Sequence, residues 1–297
     1  MRRVALACVL ALTACGGAPS SDGPDARPTG GGDAGGGGQA YAGELVVLSG
    51  GGYGRLWFPP VVFGSIWGDA PPSWHTEVAR AGDCRVLSYE PGFCTACEGL
   101  CLDPDRCVPW PDYLSAGTVT IRGVAGGDLA LEPELDRHYQ TWGGLSDPLF
   151  AAGADISVAA EGDAVASFAV AITAQPQLTV PAFDDAGQAL LADGADLELT
   201  WPAPVDGARV HLFAHSGGAP HGIPPEIILE CDASDTGSLT IASSLLDALP
   251  ALGNGCRKGS DCASLGVMRY ARAVAQTDRG AVAVTVGNGA NYELVSE

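Results

Sequence analysis

The chain has 297 residues, with 15 basic side chains against 35 acidic ones, a formal charge of −20, 42 glycines and 21 prolines. Such acidity repels polyanions, so nucleic acid and anionic lipid head groups are excluded as expected partners. Glycine and proline occur along the whole length and exclude long helices.

The first residues, MRRVALACVLALTACGG, give a basic start at Arg2 and Arg3 and a short apolar run from Val4 to Leu12. That run is too short to be a permanent membrane helix and fits an export signal, here residues 1–14. Its end, Leu12-Thr13-Ala14-Cys15, resembles the lipobox of bacterial lipoproteins. The resemblance implies cleavage before Cys15 and acylation of Cys15, with the acyl chains placing the mature protein on a lipid bilayer; two or more chains anchor stably. Gly16 rather than Asp follows, which implies the outer membrane in preference to the inner one. Loss of Arg2 and Arg3 takes the formal charge to −22. Residues 16–40 are mainly Gly, Ala, Asp, Ser and Pro with almost no apolar bulk, so 15–42 is expected to be the lipidated Cys and a flexible tether with a reach of roughly 25–30 Å. No later segment is long and apolar enough to cross a bilayer as a helix.

About 255 residues then remain for a folded body. Short runs of alternating polarity recur through it: Val119/Ile121, Phe168/Val170/Ile172, Leu197/Leu199/Trp201, Val210/Leu212/Ala214, Ile227/Leu229/Cys231 and Val282/Val284/Val286. Period two between Gly/Pro turns predicts a mainly β fold, an antiparallel β-sandwich, as one compact body or two docked halves, 43–182 and 183–297. One short helix is expected over 244–252, opened by a Ser244/Asp247 capping box and stopped by Gly253. Asp196 to Phe213, DLELTWPAPVDGARVHLF, resembles the opening of a fibronectin-type or immunoglobulin-like sandwich, with Trp201 as the anchor.

The cysteines require a choice between metal, redox and staple. Export implies an oxidising compartment, where disulfides are the default. With Cys15 acylated, eight remain in the mature chain: Cys84, Cys94, Cys97, Cys101, Cys107, Cys231, Cys256 and Cys262. The cluster C-x2-C-x3-C-x5-C lacks a second separated C-x2-C pair and a nearby His for zinc, has Glu98 where haem attachment wants His, and has no βαβ setting for thioredoxin-like chemistry. Structural disulfides are therefore expected, with Cys94, Cys97, Cys101 and Cys107 stapling the 94–107 loop internally and Cys256 and Cys262 closing a small loop. Cys84 shares a face with Val86, and Cys231 with Ile227 and Leu229. Both therefore point to a core, and Cys84–Cys231 is the expected long-range bridge.

Other constellations are weaker. Asp235-Thr236-Gly237-Ser238 matches the aspartic-peptidase signature, but no second D-[ST]-G supplies the partner carboxylate, so an Asp-Gly turn is expected. His211, His215 and His221 are the histidine cluster, the weak candidates for a metal. Along an extended strand residues four apart lie roughly 13 Å from each other, too far to share an ion. No EF-hand loop, G-x-S-x-G elbow or phosphate loop is present. Tyr53, Trp57, Phe58, Phe63, Trp67, Trp74, Trp110, Tyr113 and Trp142 could stack on sugars if exposed together.

Taken together, Leu12–Cys15, the Gly/Asp tether, the cysteine run before Ser115–Ile121, and Cys231 followed by Asp235-Thr236-Gly237 are similar to the Cys-rich surface lipoproteins of Gram-negative bacteria. The resemblance implies location and fold class but no activity. The expectation is a cell-envelope protein without cofactor, a non-enzymatic binding or structural module whose partner is an envelope protein or a glycan. The alternatives are a carbohydrate-binding module and a metal-dependent hydrolase built on the His211/His215/His221 region.

Overall fold

The computed structural model describes residues 41–50, 60–68, 75–89, 99–103, 106–109, 112–135, 137–181, 183, 187–192, 194–215, 227–250 and 263–296. The body is β throughout. Its strands are β1 Gly43–Ser49, β2 Val61–Ile66, β3 His75–Ala81, β4 Cys84–Tyr89, β5 Gly99–Asp103, β6 Arg106–Pro109, β7 Val119–Arg122, β8 Leu129–Leu131 and β9 Tyr139–Trp142. They continue as β10 Asp155–Ala160, β11 Phe168–Thr173, β12 Gln188–Leu191, β13 Leu197–Thr200, β14 Arg209–His215, β15 Ile227–Ser234, β16 Ser238–Ile241, β17 Ser264–Thr277 and β18 Gly280–Ser296.

A ten-stranded sheet runs in the order β3-β4-β15-β14-β17-β18-β1-β2-β9, with β12 also on β18. Its spine is the long antiparallel β17–β18 hairpin, turned at Asp278-Arg279. Most pairings are antiparallel, as the alternation predicts. The exceptions are β1 and β12, which lie in tandem along one edge of β18, both parallel to it. Local periodicity does not show which individual strand departs from the antiparallel rule, so these two could not be read from the sequence.

One face of this sheet is covered twice. The sheet β11-β10-β7-β8 closes a core containing Leu45, Val47, Ile121, Ile156, Phe168, Val282, Val284 and Val286. The pair β13-β16, with helix α1 (Ser243–Leu246), closes a second core containing Cys84, Val86, Leu199, Trp201, Leu212, Leu229, Cys231, Val267, Tyr292 and Leu294. On β17, Leu265 and Val267 serve the second core and Ala271, Ala273 and Ala275 the first. All five sit at odd positions of one strand, so one face of the spine carries both sandwiches. Each core draws on residues from before and after position 183.

Two local expectations change. The helix ends at Leu246 and its cap is Ala242, without a side-chain cap bond. Asp196 supplies the function instead: its Oδ1 accepts the Ser243 N–H at 2.7 Å. Beyond Leu246 the bonds tighten to i→i+3, as in Leu249 N–H to Leu246 O at 3.0 Å, and Pro250 follows. The second change concerns the opposite face of the large sheet. Its middle is buried rather than solvated: Val46, Leu48, Val61, Met268 and Tyr270 form a third cluster there, and His211, Ile228 and Glu230 are 6%, 2% and 5% exposed, while Val274 toward the hairpin turn is 39% exposed.

Candidate functional site

The buried charges gather on the large sheet in two places. The first is a polar seam between the two cores. Arg269 on β17 and Asn288 on β18 are register partners and share the core-facing side. Arg269 Nε lies 2.8 Å from Asp235 Oδ2, with the two side chains 3% and 0% exposed. Its two terminal nitrogens donate to Pro176 O and Ala203 O, at 3.4 and 3.2 Å. Asn288 Nδ2 donates to Gln175 O. Asp235 also accepts Trp201 Nε1–H at 2.6 Å and Val205 N–H at 2.9 Å. The seam thus fastens the start of the β11–β12 connection and the β13–β14 connection to the spine. The D-T-G-S stretch is a turn, with Gly237 at φ +90°, and its aspartate is this anchor.

The second place is the opposite face. Glu230 on β15 accepts Arg85 Nε at 2.8 Å and Nη2 at 2.5 Å on one oxygen, and His211 Nε2 stands 2.9 Å from the other. Burial alone would push the Glu230 carboxyl up. The His211 hydrogen bond and charge and the Arg85 guanidinium outweigh it and hold the carboxyl below its ordinary value. Next along β15, Asp232 accepts Arg209 Nε and Tyr270 O–H, both at 2.8 Å. Burial and the Asp232 charge push the Tyr270 phenol up, so it stays a donor. For Arg209, burial works downward, but the charge and hydrogen bond of Asp232 prevail and raise it. Arg272 lies over the Tyr270 ring, 5.2 Å from its centroid, and donates to Thr285 Oγ1 at 3.1 Å.

At the end of the same face, register places His215, Ser264, Glu293 and Gln188 in one row across β14, β17, β18 and β12. Ser264 Oγ and His215 Nε2 are 2.8 Å apart, and burial lowers the His215 imidazole, which favours its neutral form. Gln188 Nε2 donates to Glu293 Oε2 at 3.3 Å.

Against this geometry the sequence candidates fall as follows. Cys84 and Cys231 are register partners and are joined by a disulfide that spans 147 positions of sequence. Cys101 and Cys107 stand opposite each other in the β5–β6 ladder. Cys15, Cys94, Cys97, Cys256, Cys262 and His221 lie outside the described residues. His211 and His215 project from the same side of β14 but engage different partners, Glu230 and Ser264. Among the described residues no group of three or more His, Cys, Asp or Glu could hold a metal ion. Of the aromatics, Trp67 is 8% exposed, Phe63 packs against the third cluster, and the Tyr113 ring lies 4.1 Å from that of His138. Tyr53, Trp57, Phe58, Trp74 and Trp110 lie outside the described residues.

Sequence reasoning did not single out Arg85, Glu230, Arg209, Asp232, Tyr270 or Arg269. A signal existed: Glu230 stands inside Ile227-Ile228-Leu229-Glu230-Cys231 and Arg269 between Met268 and Tyr270, charges within strands apolar on both faces. A charge in such a place is paired.

No family model and no curated protein matches the chain. Among solved structures it is similar, at 12% identity and a TM-score of 0.21, to a chain in a structure described as "Structural insight into host cell surface retention of a 1.5-MDa bacterial ice-binding adhesin", covering 80% of this chain and 75% of that one. A second similarity, at 16% identity and a TM-score of 0.17, is to a "tetra-tandem repeat in extending region of large adhesion protein"; it covers 84% of this chain and about half (49%) of the other.

Proposed function

We propose that the chain is a lipid-anchored cell-envelope protein, held at the outer membrane through Cys15, whose β-sandwich body is a binding or structural module rather than a catalyst. The partner chemistry that fits is an envelope protein or a glycan. The observation that supports the module reading is the occupancy of the buried carboxylates. Glu230 engages His211 on one oxygen and Arg85 on the other, and Asp235 engages Trp201 on one and Val205 and Arg269 on the other. A carboxylate committed on both oxygens to fixed donors is poorly placed to take up a proton or bind a metal, and well placed to fix a surface rigidly.

The test is acylation and fractionation of the full chain in a Gram-negative host fed an alkyne fatty acid. Label on the mature protein, recovery with outer-membrane fractions, and loss of both in Cys15→Ala are the expected results. An unlabelled chain released in soluble form would refute the anchor.

A further inference from the structure

We infer that β1 is a shear clamp, by which the body resists tension arriving through the tether. The inference rests on the anchored reading just given, since the anchor is what would pull. The chain is held from the residue before β1 onward. Ala42, the residue before β1, already donates its N–H to Ala281 O at 2.7 Å and accepts the Trp67 N–H at 2.7 Å. From there β1 runs through the interior of the ten-stranded sheet, between β18 and β2, with all seven residues buried. Its seven pairs with β18, Gly43↔Val282 to Ser49↔Asn288, are parallel, and its six pairs with β2 are antiparallel.

In a parallel pair, force entering at the start of one strand and leaving at the far end of the other acts along the ladder. All the cross-strand hydrogen bonds are then strained together, rather than one after another as in peeling. Side-chain order opposes the same slip. Leu45 and Val47 belong to one core, while Val46 and Leu48 belong to the cluster on the opposite face. A shift of one residue would exchange these faces, so β1 cannot creep in single steps. The border with β2 is also keyed. A Cβ at Gly64 would lie 2.4 Å from Glu44 O, and one at Gly43 would lie 2.8 Å from Ile66 Cγ1, so the two backbones sit closer than side chains permit.

The hairpin turn at Asp278-Arg279 provides the internal comparison. It lies beside the start of β1, because Gly43 faces Val282. Pulling between the N-terminus and this turn opens the β1–β18 ladder from one end, whereas pulling between the N-terminus and the C-terminal end of β18 shears it. The experiment is single-molecule force spectroscopy on the mature chain with Cys15→Ala, so that lipid plays no part. One form carries handles at both termini; the other carries them at the N-terminus and at Arg279→Cys. A peptide tag inserted between Asp278 and Arg279 serves as a second version of that attachment. Both forms are first checked for the same thermal transition.

A first unfolding force several-fold higher in the end-to-end geometry is expected. Equal forces in the two geometries would overturn the clamp while leaving acylation untouched, and an unacylated Cys15 would remove the anchor while leaving the force ratio untouched.

Discussion

Asp235 accepts from an indole and a backbone amide while it pairs with Arg269, all in the seam between the two cores. Asp235→Ala would leave the Arg269 guanidinium buried without its counter-charge. Breaking a buried pair from one side costs about 3–5 kcal/mol, so the urea midpoint should fall by that equivalent with little change in slope. Glu230 gives a pH prediction. Its folded carboxyl is held below the ordinary value of 4.5. Its contribution is therefore fully present above that value and is lost as pH falls through the lower folded one. Denaturation curves between pH 7 and pH 3 should show an acid loss of stability that is shallower in Glu230→Gln. Identical acid limbs would assign the loss to other groups. The role of Asp235 was not legible in the sequence, and the flanks of Glu230 signalled a paired charge without naming its partners. Asp235 reads there as a turn residue, and its partners Trp201 and Arg269 lie 34 positions before and after it. Cys84 and Cys231 were legible, because each sits on a strand whose apolar face is plain.

At the scale of the element, alternation is plainest in half-buried strands, although β14, β15 and β18 were also read while largely buried on both faces. β7, β10, β11 and β13 alternate buried and exposed residues and match the period-two reading. β1 is buried on both faces and reads only as an apolar run, and nothing local marks it as parallel to β18. The helix was placed correctly but drawn too long. The capping rule looks for its acceptor within the helix, and here Asp196 supplies it from 47 positions away. The tight border between β1 and β2 has its own prediction. Gly64→Ala would put a methyl 2.4 Å from the Glu44 carbonyl oxygen, which a neighbour can relieve only by moving backbone. A loss of about 1–3 kcal/mol is expected from such overpacking, read as a lowered Tm. Gly68→Ala, where the nearest atom is Asp112 O at 3.5 Å, should be close to neutral.

For the whole molecule, the question is whether two cores make two domains. The long hairpin argues against separate units, since residues 264–277 and 280–296 line both cores from one continuous ladder. The disulfide ties strands within the second core, which holds both cysteines. It closes a loop of 147 positions between β4 and β15, and for loops of that order the chain-entropy estimate is about 5 kcal/mol. The Cys84→Ala/Cys231→Ala pair should therefore unfold at markedly lower urea than the native chain. The hairpin, however, predicts that it still unfolds in one step, because neither sandwich retains its sheet once β17 and β18 part. Circular dichroism and the fluorescence of a probe confined to the core that contains the bridge, Trp201 with the other five tryptophans replaced by Phe, should give coincident curves. A fluorescence transition at lower urea than the loss of strand signal would mean that the spine does not couple the cores. Under tension the intact bridge has a further signature. It withholds the chain between its two cysteines, so reductant should lengthen the final extension by about 500 Å at 3.3–3.6 Å per residue. A molecule that extends fully without reductant would show that the bridge is not formed.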